Sequence, residues 1–344
     1  MNKVTVLSVN ISEKKGTIKL PVPSISLTEK GVEGDAHSGP WNRQVSLLGI
    51  ESIRKFEQDA GRKINFGEFA ENITTEGLEL WKCQPLDRFV GEEVELEVTQ
   101  IGKECHGSTC SIFKEVGNCV MPKEGIFARV IRPGTLNAKC KMQNAKDTEQ
   151  RATSNEQRAS EFLYKPKVYS ARIITLSDRA FRGDYEDKSG PRIRTLLETF
   201  FSPLVPLPSS FVPRPSSHVS RLTSHLFLLP DSPDQLRMAI EQAIYESTDF
   251  IFTTGGTGIG PRDFTPDVVK PLLDKEIPGI MERIRMKYGA EKPNALLSRS
   301  VAGVRNKTLL FTLPGSLRAV NEYMEEITPS LLHMVYMLHG LEIH

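Results

Sequence analysis

At 344 residues and 39% hydrophobic, the chain is long enough for two separate cores, and no run reaches the ~18 apolar residues of a membrane-spanning helix. Its 44 basic and 43 acidic residues leave a formal charge of +1, which offers no global field for nucleic acid or an anionic membrane surface. Five irregularly spaced cysteines in a chain of this size indicate reduced thiols and a cytoplasmic setting, not a disulfide framework.

The first 140 residues read as short alternating runs: "VTVLSVNIS", "QVSLLG", "EVELEVTQIG" and "GIFARVIRPG". Glycines and prolines punctuate them, so this domain is expected to be mostly β and barrel-like. "ESIRKFEQDAG" is its clearest helix. From Asn137 to Phe162 the composition turns polar and mixed in charge, with almost no large apolar side chain. Such a stretch cannot bury enough surface to offset the entropy of ordering, so residues 141–165 are expected to be a linker. A second domain is expected over 166–344.

In that second domain "KVYSARIITLS" is β-rich and "PRIRTLLETFF" has helical spacing. The Ser/Pro-rich stretch from Leu207 to His225 reads as an inserted loop, followed by the short apolar run "HLFLLP". Ser232, Pro233 and Gln235 carry the signature of a helix start, after which Leu236, Ile240, Ala243 and Ile244 share one face. "DFIFTT" is a buried strand, Thr265-Pro266 is placed to cap a helix, and "KTLLFTLPG" is a further strand with Ser316 placed to cap the last helix. Strands alternating with helices indicate an α/β domain with a mainly parallel sheet flanked by helices. Ligands of such sheets sit beyond the carboxyl ends of strands, where "TTGGTG" and "LPGS" both fall.

The stretch "TTGGTGIGPRDFTPD", Thr253 to Asp267, is the densest chemical signal in the chain. Glycines leave backbone N–H groups free to converge on an anion, and carboxylates beside an anion call for a metal ion between them. The loop is neither a Walker A motif nor G-x-G-x-x-G. The whole string resembles the signature of the MogA/MoaB family of molybdenum cofactor biosynthesis, to which the gephyrin G domain is related. "LSDRAFRGDYEDKSGP", "EIPGIMERIR", "NALLSRSVAGVR" and "LFTLPGS" extend the resemblance over nearly the whole second domain.

What the resemblance implies is adenylylation of molybdopterin by Mg-ATP. Asp231 and Asp263 correspond to the family's two acids and are expected to hold Mg²⁺, directly or through water. The Ser/Pro-rich stretch leaves open whether Asp231 or Asp234 is the first of them. Gly255, Gly256, Thr257 and Gly258 are expected to cradle phosphate, with a hydroxyl from Thr254. Ser177, Asp178, Pro314, Gly315 and Ser316 are expected to line the same pocket, with Ser298 and Arg262 as further candidates for substrate phosphate. The resemblance also implies a homotrimer, a molybdenum insertase as partner, and two alternatives: a non-catalytic molybdopterin-binding or scaffold module, and a MoaB-like branch.

In the first domain "GDAHSGPWNRQVSLLG", "GEFAENITTEGLEL" and the segment from "TQIGKECHGSTC" to "GNCVMPKEGIFARVIRPG" resemble the MOSC family. That likeness implies handling of cofactor sulfur, or binding of the cofactor, with a persulfide donor as partner. Cys105, beside Lys103 and His106, matches the family's cysteine, and a thiolate near positive charge suits sulfur transfer. Asp35 and His37 are expected to line its pocket. Cys105, His106, Cys110 and Cys119 also raise zinc, although their spacing is not a standard ligand pattern.

Overall fold

The computed structural model describes residues 3–103, 119–139, 159–202 and 221–341, and the chain divides into two compact units between Lys167 and Val168. In the first, β1 (Lys3–Ile11), β5 (Val45–Gly49), β6 (Ile73–Glu76), β7 (Arg88–Val90), β8 (Glu95–Ile101), β9 (Ile126–Arg132) and β11 (Glu161–Lys165) close into a seven-stranded barrel. The order around it is β11-β7-β8-β9-β5-β6-β1, and β1 returns to pair with β11. A short strand, β2 (Leu20–Val22), adds to β1, while β3 (Ser24–Thr28), β4 (Gly31–Val32) and β10 (Gly134–Asn137) form a separate small sheet. Only β5 and β6 pair in parallel among the barrel strands, and helix α1 (Ile50–Ala60) is the crossover that parallel pairing requires. Its Ile50, Ile53 and Phe56 are buried and pack with Leu48 and Phe69.

The barrel corrects the expected linker. Its last five residues form β11, in which Phe162 and Tyr164 alternate inward while Glu161 and Lys165 face solvent. Phe89 meets both rings, at 5.9 and 5.5 Å between centroids. The Tyr164 hydroxyl donates to the buried Asp87 carboxylate. Two aromatic anchors on one face are enough for a strand even inside polar sequence. Residues 141–158 of the expected linker lie outside the described residues.

The second unit is built on six strands: β12 (Tyr169–Leu176), β13 (Leu222–Leu229), β14 (Phe250–Thr254), β15 (Lys275–Glu276), β16 (Ala302–Arg305) and β17 (Thr308–Leu313). They lie in the order β13-β12-β14-β17-β16-β15. The first four run parallel, β16 adds antiparallel to β17, and β15 adds antiparallel to β16. Successive residues of β14 face opposite ways. Ile251 meets Leu236, Ile240 and Ala243 of α5 (Pro233–Tyr245) and Val268 of α6 (Thr265–Val269), whereas Phe250 meets Phe201 and Tyr169. Between those helices and β12 come α3 (Asp178–Phe181) and α4 (Ser189–Phe200), and α2 (Met121–Glu124) belongs to the barrel unit. The last two helices are α7 (Pro278–Gly289) and α8 (Leu317–Leu338).

Strand β13 begins at Leu222, inside the stretch expected to be a loop, and residues 207–220 of that stretch lie outside the described residues. As an edge strand it needs no continuous apolar run, so Thr223 and His225 stand exposed within it. Ser232 caps α5 by accepting from Gln235 N, and Ser316 caps α8 by accepting from Ala319 N. Thr265 is not the cap of α6. It is the first residue of that helix, and its hydroxyl donates to Gly255 O at 2.8 Å.

Candidate active site

The ends of β12, β14 and β17 converge on the glycine loop. Gly255 N donates to Leu313 O, and the Thr254 hydroxyl donates to Pro314 O at 2.9 Å. Gly255 has φ of +103° and lies so close to the end of β12 that a Cβ there would stand 2.5 Å from Leu176 O. Only glycine fits that position. Thr254 and Gly255 therefore build the loop's base. Their hydroxyl and amide, expected in a phosphate cradle, are committed to neighbouring carbonyls.

The amides of Gly256, Thr257 and Gly258 find no partner among the described residues. Asp263 folds back onto the loop at Gly258 and Gly260. Its Oδ2 accepts Gly260 N at 2.8 Å, and a Cβ on Gly258 would come within 2.8 Å of that same oxygen. The loop is glycine-rich in part to seat its own carboxylate. Gly256, Thr257, Gly258, Asp263, Ser298, Pro314, Gly315 and Ser316 line one cavity of about 450 Å³, together with Tyr288 of α7 and Tyr323 of α8. Ser298 Oγ lies 2.9 Å from Ser300 Oγ and accepts from the Tyr323 hydroxyl at 2.9 Å.

Other sequence candidates do not line the cavity. Asp178 Oδ1 accepts Asp231 N at 2.9 Å, joining the ends of β12 and β13, and Ser177 caps α3 by accepting from Ala180 N. Asp234 stands exposed in the first turn of α5, while Asp231 is half-buried. Arg262 is exposed.

Arg299 was not singled out by the sequence, although it lies inside the "LSRS" motif. Its backbone N donates to Thr257 O, its Nε donates to Gly258 O at 2.7 Å, and Nη2 donates to Asp263 O. Both terminal nitrogens hold the Asp267 carboxylate, at 2.8 and 2.9 Å. Those bonds keep Asp267 below the usual carboxylate range. One planar fork thus ties both limbs of the loop, a task a lysine cannot share. The Arg299→Ala variant is expected to lose about 1–3 kcal/mol, chiefly from the charge-assisted carbonyl bonds, because the exposed pair with Asp267 adds little. Hydrogen exchange should speed up over residues 256–263. Unchanged exchange there would remove the clamp from this account.

In the barrel unit, His37 lines a second cavity of about 310 Å³ with Lys15, Trp41, Arg43, Lys103 and Asn72. Among the described residues no acidic side chain lines it, so this lining favours anions. Asp35 was expected in this lining but lies beneath it, with its side chain 1% exposed and paired with Lys19, equally buried. It also accepts from Ser12 N at 3.1 Å and His37 N at 2.9 Å. Burial works against its charge, yet the bonds from His37 and Lys19 outweigh it and hold the carboxyl well below its ordinary range. His37 Nδ1 is 3.5 Å from Asp35 Oδ1. Cys105, His106 and Cys110 lie outside the described residues. Among the described residues no three His, Cys, Asp or Glu side chains cluster to hold a metal ion, and no helix is long and apolar enough to cross a membrane.

Comparison with known proteins follows these two units. A family model described as "Probable molybdopterin binding domain" matches residues 172–333, and a model of the MOSC domain matches residues 34–143. A molybdopterin adenylyltransferase of Helicobacter pylori is 32% identical over 169 residues, covering 49% of this chain and 86% of that protein. Molybdenum cofactor biosynthesis protein B of Staphylococcus aureus is 42% identical over 114 residues, 32% of this chain and 68% of that one. Gephyrin of Dictyostelium discoideum is 31% identical over 51% of this chain, which spans only 23% of gephyrin's length. The solved structure of MoaB from Thermus thermophilus shares 34% identity and covers 52% of this chain and all of its own, with a TM-score of 0.42. The chain therefore belongs, through its second unit, to the MogA/MoaB family of molybdenum cofactor biosynthesis, and it carries a MOSC domain ahead of that unit.

Proposed function

We propose that the second unit transfers AMP from ATP to molybdopterin. A phosphate oxygen of the pterin forms a bond to the α-phosphorus, the bond from that phosphorus to the bridging oxygen breaks, and pyrophosphate leaves with that oxygen. The observation that carries this reading is Asp263, which shares the wall of one cavity with Gly256, Thr257 and Gly258, whose amides have no partner among the described residues. The Helicobacter pylori relative is itself named a molybdopterin adenylyltransferase, which supports the same reading.

Mg²⁺ bound with a nucleotide takes one or two carboxylates and completes its shell from phosphate and water, so a single well-placed acid is sufficient. Asp263 fits that demand, since Gly260 N engages only its Oδ2. Asp231, beside Asp178, is the second acid proposed for the nucleotide. When bound, the ion would neutralise the triphosphate and favour loss of pyrophosphate. The chain's own part is to hold phosphate oxygens on the amides of residues 256–258 and to keep Asp263 aimed through Arg299.

For the barrel unit we propose an anionic cofactor or sulfur-bearing ligand, with Cys105 as its sulfur-handling residue. The cationic lining formed by Lys15, Arg43 and Lys103 supports the anion.

The test is the full chain with Mg-ATP and molybdopterin. We expect AMP in the pterin fraction and an equal amount of pyrophosphate. Pterin binding with no pyrophosphate released would leave a binding module and end the enzymatic reading.

A further inference from the structure

The cavity of the second unit carries a charged group that the proposed chemistry has not used. Lys292 follows α7, and Arg318 and Glu322 stand one turn apart at the start of α8; all three line the cavity. A single oxygen, Glu322 Oε1, accepts Lys292 Nζ at 2.5 Å and Arg318 Nε at 3.1 Å. Two cations sharing one carboxylate leave a net positive charge on that wall. The Glu322 side chain is 18% exposed, whereas that of Arg318 is 71% exposed. The acid is thus the more enclosed member and the guanidinium is free to turn.

One oxygen bridging an ammonium and a guanidinium is the arrangement a phosphate oxygen adopts between Lys and Arg. We infer that Lys292 and Arg318 form a subsite for a phosphoryl anion, and that Glu322 is the internal counter-ion this anion displaces. The assignment rests on the adenylylation reading for the identity of its substrates. Two sources share the chemistry: the pyrophosphate portion of the nucleotide and the phosphomonoester of the acceptor. Glu322 prevents two cations from standing unpaired in the cavity before substrate arrives. It also competes with the substrate, so it sets the affinity of the subsite.

Calorimetric titration of the full chain with sodium pyrophosphate and, separately, phenyl phosphate tests this, in wild type, Lys292→Gln, Lys292→Arg, Arg318→Gln and Glu322→Gln. Loss of either cation should weaken the anion roughly tenfold or more, the scale of one charge-assisted contact, and Lys292→Arg should recover part of it. Glu322→Gln should act oppositely and tighten binding. A response confined to pyrophosphate assigns the subsite to the nucleotide, and one confined to phenyl phosphate assigns it to the acceptor. Affinities that do not move in any variant overturn the inference. So does weaker binding in Glu322→Gln with unchanged thermal melting, which would make Glu322 a scaffold for the cations and not their competitor. A wild type that shows these responses yet transfers no AMP would end the adenylylation reading and leave the subsite standing.

Discussion

Asp263→Asn is expected to abolish AMP transfer while leaving the second unit folded. Asparagine keeps an oxygen at the same reach, so the bond from Gly260 N survives and the loop retains its shape. Arg299 holds the backbone carbonyl of residue 263, not its side chain, so the clamp survives as well. What disappears is the negative charge facing the triphosphate. Removing one preorganised electrostatic group costs on the order of 10²–10³ in turnover, and loss of a metal-holding acid belongs at the upper end. Molybdopterin affinity should change little, since the substitution acts on the nucleotide. Turnover by the purified variant near that of wild type would remove Asp263 from the chemistry. Parallel assays of Asp231→Asn and Asp234→Asn would then show where the second acid lies.

The largest expected loss of stability comes from Lys19→Met in the barrel. The methionine fills the same space, but Asp35 is left with its side chain 1% exposed and its cation gone. Breaking a buried pair from one side costs about 3–5 kcal/mol, and the bonds that Asp35 keeps from Ser12 N and His37 N put this variant at the lower end. Urea denaturation of the barrel transition is the measurement. The double variant Lys19→Met/Asp35→Asn should recover much of the loss, and a double variant no better than the single would refute this account. The pH profile carries a second signature. Asp35 is held below its ordinary value of 3.8, so its stabilising contribution is complete above that value and is lost as pH falls through the lower native one. In Lys19→Met that acid loss should begin at higher pH. Glu71 works the other way: complete burial raises its carboxyl above 4.5, so its charge weighs against the fold as pH climbs past that value.

What the sequence revealed depended on how local the determinants were. Gly256, Gly258 and Asp263 fall within eight residues, so their grouping could be read before any fold was known, and all three line one cavity. Leu236, Ile240 and Ala243 were legible as a buried face because helical periodicity encodes it, and all three are buried. Arg299 meets the loop from 36 residues away, and in sequence it resembles any solvated arginine. Lys19 was passed over for a related reason: lysines are rarely buried, and nothing nearby announces that Asp35 will neutralise it. Lys292, Arg318 and Glu322 come together only when α7 and α8 do. The polar setting of β11 hid one strand, and the Ser/Pro-rich approach hid the first residues of β13, whose later part was legible as the apolar run "HLFLLP".

The closure of the barrel by β11 has a consequence for synthesis. Lys3 pairs with Leu163, so the first strand waits for a partner made about 160 residues later. At translation speeds of roughly 5–20 residues per second that is some 8–30 s. During this interval the edge of β1 that β11 will cover stands open, joined for roughly its second half by that of β7, and open edges are templates for pairing with other chains. Such distant pairing is also slow to nucleate, since loop closure precedes its reward. The barrel therefore completes late, close to when the ribosome starts on β12.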